Sequence, residues 1–162
     1  EAVNAYYGPG RQGYTLGRTH INSCDFSLAN YTYVEEGDED LSTLSIACEE
    51  EYKLPLLRAA KEAAGDLTLL ASPWSPPAYM KTNGSMNGGG KLKPSCRKLW
   101  ADYIAAYLSA YREKGFAHDF LTIQNEPKAV QRWDSCIYTP QEEREFAEDY
   151  LAVRAEREKA SR

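Results

Sequence analysis

The feature that most constrains the fold of this 162-residue chain is a regular alternation of short apolar runs with longer amphipathic segments. The apolar runs have the length of strands, and the segments between them repeat their apolar residues at helical spacing. Leu67–Ser72 and Phe120–Ile123 are predicted as buried strands, and Tyr14–Ile21 is predicted as a strand that the chain enters through the Gly-rich turn Gly8–Gly13. Strands that alternate with helices pair in parallel through right-handed crossovers, so an α/β fold with a parallel sheet is predicted.

Three helices are predicted between and after these strands. The first covers most of Cys48–Ala64, with a break or a fresh start at Pro55, and Gly65 ends it as a C′ glycine does. The second covers Pro94–Lys114 and is amphipathic. The third opens at Thr139-Pro140-Gln141-Glu142, a capping box with proline at the first helical position, and is expected to reach the chain end.

Two architectures contain this alternation: a doubly wound open sheet, and part of an eight-stranded (β/α)8 TIM barrel. No phosphate or dinucleotide fingerprint supports the open sheet, because the glycine cluster Gly88–Gly90 follows no strand directly. The barrel is favoured by where the polar residues fall, since the loops after barrel strands build the active site. All three strands end in reactive or sugar-binding residue types: Arg18-Thr19-His20-Ile21-Asn22-Ser23-Cys24-Asp25, Ser72-Pro73-Trp74-Ser75 and Gln124-Asn125-Glu126-Pro127.

Composition excludes several classes of function. The net charge is −5, and no Lys/Arg-rich stripe is present, so no nucleic-acid partner is expected. No apolar run approaches the roughly 20 residues of a membrane span. The four cysteines are irregularly spaced, form no C-x-x-C pair and lie at no metal-ligand spacing from a histidine, which predicts free thiols and no metal site. Aromatic residues make up 12% of the chain, a bias that suits sugar binding, although most of these rings are expected in the core.

Glu126 carries the clearest chemical signal. It follows an apolar strand, has an amide neighbour in Asn125 and is held in place by Pro127. Partial burial and a second carboxylate nearby both favour a carboxylic acid that protonates a glycosidic oxygen, and we expect Glu126 to be partly buried. The alternative is a turn with an exposed structural glutamate. The polar ends of the other two strands favour the catalytic interpretation.

Four further residues are predicted to bind substrate. Asn125 can bond the sugar 2-hydroxyl, a contact that strengthens in the transition state. Arg18, charged within a strand, is expected to orient a catalytic nucleophile, or else to form an ordinary salt bridge. Asp25 can accept hydrogen bonds from sugar hydroxyls, or else closes an Asx turn. Trp74 can stack on the sugar, or else packs as a buried indole.

These motifs resemble glycoside hydrolase family 30, the glucosylceramidase-like group. The resemblance lies in LGRTHINSCDFSLANYTY, LLASPWSPPAYMKTNGSMNGGGKLK and LTIQNEP, and runs from about Tyr14 to about Tyr150. It implies a (β/α)8 barrel with an attached β-sandwich that hydrolyses β-glycosides with retention and needs no metal or organic cofactor. By this resemblance the three strands are barrel strands 2 to 4, Glu126 matches the acid/base, Asn125 its amide neighbour, and Arg18, Asp25 and Trp74 surround the innermost sugar.

The chain departs from the family's pattern because it contains no nucleophile glutamate at a second strand end. The resemblance places that residue beyond Arg162, and Glu142 or Glu148 on the last helix cannot substitute for it. We therefore expect a partial catalytic domain, with the rest of the barrel and the β-sandwich absent. The alternatives are another specificity of the family, such as a β-1,6-glucanase or β-xylosidase, a non-catalytic carbohydrate-binding homologue, and an α/β scaffold without a sugar site.

Overall fold

The computed structural model describes residues 1–152. Its centre is a parallel sheet of three strands in chain order: β1 (Leu16–Ile21), β2 (Thr68–Pro73) and β3 (Phe120–Leu121). β1 pairs with β2 over its whole length, from Leu16 opposite Thr68 to Ile21 opposite Pro73. β3 pairs with β2 over two residues, with Phe120 opposite Leu70. The predicted parallel strand–helix alternation is confirmed.

The helices are α1 (Ala2–Tyr7), α2 (Lys53–Ala64), α3 (Arg97–Glu113) and α4 (Pro140–Phe146). α2 follows a separate 3₁₀ turn at Ala47–Glu50 and begins two residues before Pro55. Pro55 is tolerated because a backbone N–H in the first turn has no intrahelical partner anyway. Gly65 ends α2 with a φ of 79°, as predicted.

α3 and α4 also begin near their predicted starts. A short 3₁₀ turn at Pro94–Cys96 leads into α3. α4 has the predicted capping box, in which Thr139 accepts from the Glu142 N–H while the Glu142 carboxylate accepts from the Thr139 N–H. A π-helical segment, Ala147–Ala152, continues α4. The predicted extension of this helix to the chain end lies outside the described residues.

The core lies between the sheet and the helices on one side of it. Leu69 and Ala71 of β2 face α2 and α3 and are almost fully buried. The rings of α3 fill much of this layer: the Tyr107 ring stacks on Tyr33 with 5.3 Å between centres and is tilted against Tyr111 with 4.5 Å between centres. Many of the aromatic residues are therefore core residues, as the sequence predicts. None of the helices within the described residues has the length and apolar character that crossing a membrane requires.

The opposite face of the sheet is largely uncovered in the described part of the chain. Paired residues of neighbouring strands share a face, which places Arg18, Leu70 and Phe120 on this side, together with Leu16. Leu16 is 58% exposed and Phe120 is 60% exposed. The prediction that Phe120–Ile123 is a buried strand is therefore wrong, because Phe120 is exposed and the three residues after it are half-buried. Its strand is the edge of the sheet, and Phe120 points to the face that no helix covers.

Candidate active site

Three of the predicted site residues meet on the uncovered face of the sheet. The Arg18 guanidinium donates from Nη2 to Asn125 Oδ1 at 2.8 Å. The same guanidinium lies 4.7 Å from the centre of the Trp74 ring, within the range of a cation–π contact. We call Arg18, Trp74 and Asn125 the strand-end cluster. Arg18 lies in β1, Trp74 directly follows β2, and Asn125 lies in the segment after β3. The ordinary salt bridge considered for Arg18 does not occur in the described residues.

Backbone contacts fix the two loop residues of this cluster. The Asn125 N–H donates to Pro73 O at 2.8 Å, which continues the pairing of β3 with β2 beyond β3 itself. The buried Gln124 amide donates from Nε2 to Trp74 O at 2.7 Å and to Asn125 O at 2.9 Å. Gln124 thus ties the end of β2 to the segment after β3. Its position within Gln-Asn-Glu-Pro is visible in the sequence, but its bridging role is not.

Glu126 directly follows the cluster and is exposed to solvent. Its backbone has a φ of 46°, in the left-handed region that non-glycine residues seldom occupy. The side chain accepts a hydrogen bond from Gln131 Nε2 to Oε2 at 3.3 Å. The expected partial burial of Glu126 is not observed, because nothing in residues 1–152 covers this side of the strand ends.

Asp25 does not join the strand-end cluster. It lies exposed in the tight turn in which the Ser27 N–H donates to Cys24 O at 2.9 Å. Within the described residues it makes no hydrogen bond to Arg18, Trp74 or Asn125. Its predicted role in sugar binding remains a prediction.

His20 and Asn22, which were not assigned a role from the sequence, contact the segment after β2 that carries Trp74. The His20 ring packs edge-on against Trp74, with ring centres 6.2 Å apart. Burial lowers the pKa of His20, and the nearby Lys53 ammonium lowers it further. Asn22 is fully buried with a φ of 62°, donates to Ser75 O at 3.0 Å and accepts from the Tyr103 hydroxyl. The buried Asn22 side chain thus joins the end of β1 to the segment after β2.

All four cysteines are free thiols, as predicted. No group of three or more His, Cys, Asp or Glu side chains in residues 1–152 is arranged to hold a metal ion. A cavity of about 610 Å³ lies beside His20, between the loop 24–31 and the start of α2. The strand-end cluster and Glu126 are not part of its lining.

Comparison with known proteins agrees with this architecture. The crystal structure of SrfJ from Salmonella typhimurium is 46% identical to this chain and superimposes with a TM-score of 0.92, covering 96% of this chain and 35% of that one. Lysosomal acid glucosylceramidase of Mus musculus is 34% identical over 89% of this chain and 30% of its own length. Endo-1,6-beta-D-glucanase of Neurospora crassa is 35% identical over 70% of this chain and 25% of its own.

The chain thus spans about a third of the length of the relatives it matches. Residues 2–158 match the glycosyl hydrolase family 30 TIM-barrel domain, which decides between the barrel and the open sheet that the alternation alone allows. This chain belongs to glycosyl hydrolase family 30, and its parallel sheet is part of that family's TIM barrel.

Proposed function

We propose that this chain is part of a retaining β-glycosidase that cleaves β-linked glucosides of the glucosylceramide type. The observation that carries the proposal is that Arg18 contacts both the Trp74 ring and Asn125, the residue next to Glu126. A cationic group, a ring face and an amide beside a carboxyl group are the parts that sugar binding and acid catalysis need. The similarity of this chain to the mouse glucosylceramidase supports the choice of substrate.

In this proposal Glu126 is the general acid/base. It gives its proton to the glycosidic oxygen as the bond to the sugar breaks, and it later takes a proton from the water that releases the sugar. Its exposed position at the strand ends leaves it accessible to a leaving group. Asn125 bonds the sugar 2-hydroxyl, Trp74 contacts the sugar ring and Asp25 accepts from other hydroxyls. Arg18 orients the nucleophile and keeps it ionised.

The nucleophile itself is proposed to lie outside this chain, on a part of the barrel that the chain does not span. Retention needs two carboxyl groups about 5–5.5 Å apart. Glu142 is already committed, since it caps α4 and pairs with Lys91 at 2.8 Å. By barrel-complete protein we mean the polypeptide in which this chain is joined to the remaining strands.

A second candidate is an endo-acting β-1,6-glucanase, which the similarity to the Neurospora enzyme favours. A β-xylosidase and a sugar-binding homologue without catalysis are less well supported. The choice between the two leading candidates depends on loops after later barrel strands, which this chain does not span. Hydrolysis of glucosylceramide and of a linear β-1,6-glucan by the barrel-complete protein therefore distinguishes them directly.

The role of Glu126 is tested by Glu126→Gln in the barrel-complete protein. Hydrolysis of an alkyl β-glucoside, whose leaving group needs protonation, should fall by about 100-fold to 10,000-fold. Added azide should restore turnover of a dinitrophenyl β-glucoside and yield a β-glucosyl azide, because the anion needs no general base. Glu148→Gln, an exposed glutamate, is the control. Unchanged hydrolysis of the alkyl glucoside by Glu126→Gln would refute the assignment.

A further inference from the structure

We infer that Gln131 is a positioning residue for the Glu126 carboxyl group, an inference that rests on the proposed function. Gln131 lies in the loop that follows β3, five residues after Glu126. Its amide is the one hydrogen-bond donor to the Glu126 carboxylate among residues 1–152, with 3.3 Å between Nε2 and Oε2. The carboxyl group has no other anchor in this part of the chain and is exposed, so its direction depends on this contact.

The backbone of Gln131 is itself held by several hydrogen bonds. The Gly88 N–H donates to Gln131 O at 2.8 Å. The Ser135 hydroxyl oxygen accepts from the Gln131 N–H at 3.2 Å and from the Gly89 N–H at 2.9 Å. Two loops, one after β2 and one after β3, are therefore joined directly at the residue that contacts Glu126. A side chain on a backbone fixed in this way can orient a neighbour.

A buried lysine secures this junction. Lys81 is fully buried, and its ammonium donates to Met86 O at 3.1 Å and to Ser135 O at 2.5 Å. It thus links the loop after β2 to the same Ser135 that holds Gln131. A buried ammonium without hydrogen bonds is strongly unfavourable. Loop arrangements that break the bonds from Lys81 are therefore disfavoured, and both loops are held in one arrangement.

The contact defines which oxygen of Glu126 carries the proton. The carbonyl oxygen of a carboxylic acid accepts a hydrogen bond better than its hydroxyl oxygen does. Because Gln131 Nε2 donates to Oε2, Oε2 is favoured as the carbonyl oxygen and the proton of the acid form lies on Oε1. In the acid step the Oε1–H bond breaks and the proton passes to the glycosidic oxygen. The Gln131 N–H then stabilises the negative charge that forms on the carboxylate.

The test uses Gln131→Met in the barrel-complete protein, which keeps the side-chain length but removes the donor. The backbone bonds that hold residue 131 remain. We expect kcat/KM for an alkyl β-glucoside to fall by about 10-fold, while kcat/KM for a dinitrophenyl β-glucoside, whose leaving group needs no proton, changes by less than about 2-fold. Gln141→Met is the matched control, since it removes a comparable 2.8 Å bond to Glu145 on the surface of α4. It should change neither value.

Equal losses on both substrates, or no loss on the alkyl glucoside while Glu126→Gln abolishes its hydrolysis, would overturn the inference and leave the proposed function standing. If Glu126→Gln itself has no effect, the proposed function fails instead. Should Gln131→Met not fold, Gln131→Ala serves as the second variant. It also removes the donor to Oε2 and adds no charge, so it must show the same selective loss.

Discussion

Arg18 and Asn125 belong to segments separated by a whole strand, yet the Arg18 guanidinium donates to the Asn125 side-chain oxygen at 2.8 Å. The bond crosses β2 on the uncovered face of the sheet. The same guanidinium also lies over the Trp74 ring. A planar guanidinium can donate from its edge while its face lies over a ring, an arrangement that a compact ammonium does not reproduce.

Arg18→Lys should therefore impair activity although it preserves the charge. In the barrel-complete protein we expect kcat/KM on β-glucosides to fall by about 10-fold or more, because the cluster loses its geometry. Arg58→Lys is the control, an exposed arginine of α2 that pairs with Glu50. Wild-type kinetics for Arg18→Lys would contradict the assigned role.

Glu49 and Glu50 are neighbours, but we expect only Glu49 to contribute strongly to stability. Glu49 is 3% exposed, pairs with Lys53 at 2.8 Å and accepts from the hydroxyls of Tyr31 and Tyr33. Glu49→Gln leaves the Lys53 ammonium buried without its counter-charge, so we expect the free energy of unfolding to fall by about 3–5 kcal/mol. Glu50→Gln removes only exposed ion pairs and should leave unfolding nearly unchanged. Urea unfolding of both variants measures the difference, and equal midpoints would contradict it.

His118 should make the fold less stable in mild acid. Burial lowers its pKa to about 4, with a further contribution from Lys53, and its Nε2 lies 2.7 Å from the Thr19 hydroxyl. Between pH about 6.5 and about 4 the unfolded chain binds a proton that the folded chain does not, so stability falls as the pH drops through this window.

The measurement is urea unfolding of the wild type and of His118→Asn across that range. Any stability advantage of the wild type over the variant should shrink as the pH decreases from about 6.5 to about 4. His20, whose pKa is also lowered, is present in both proteins and cancels in the comparison. A constant difference across the range would show that His118 does not titrate in this way.

The 162-residue chain alone should be inactive on aryl β-glucosides and prone to self-association. Leu16 and Phe120 are exposed on the uncovered face of the sheet, and β1 and β3 are the edges of the sheet in the described residues. Unpaired edges and exposed apolar faces favour contacts between copies. Light scattering and hydrolysis assays of the purified chain, beside the barrel-complete protein, check both expectations. Turnover near that of the barrel-complete protein would refute the first, and a monodisperse monomer the second.

Most of the framework could be predicted because its signals are local. An apolar run marks β2, Gly65 ends α2, and the capping box at Thr139 opens α4. These features depend on residues a few positions apart. The exposure of Phe120 could not be predicted in this way, because it depends on which other elements cover its face of the sheet.

The candidate site was predictable only in part for the same reason. Trp74 and Asn125 follow strands and Arg18 lies within one, so parallel pairing brings the three side chains together. Asp25 also follows a strand, but it lies in a turn that leaves it apart from them. The contacts of Gln131 depend on how two long loops fold against each other, which no local pattern specifies.

The left-handed backbone of Glu126 has a further consequence for how this region can evolve. A φ of 46° is comfortable for glycine or asparagine and unfavourable by about 1–2 kcal/mol for a glutamate. Replacing Glu126 with either of those residues would remove this backbone strain and stabilise the fold. A family member under selection for durability alone would drift away from glutamate here, so its retention would mark a lineage still selected for turnover.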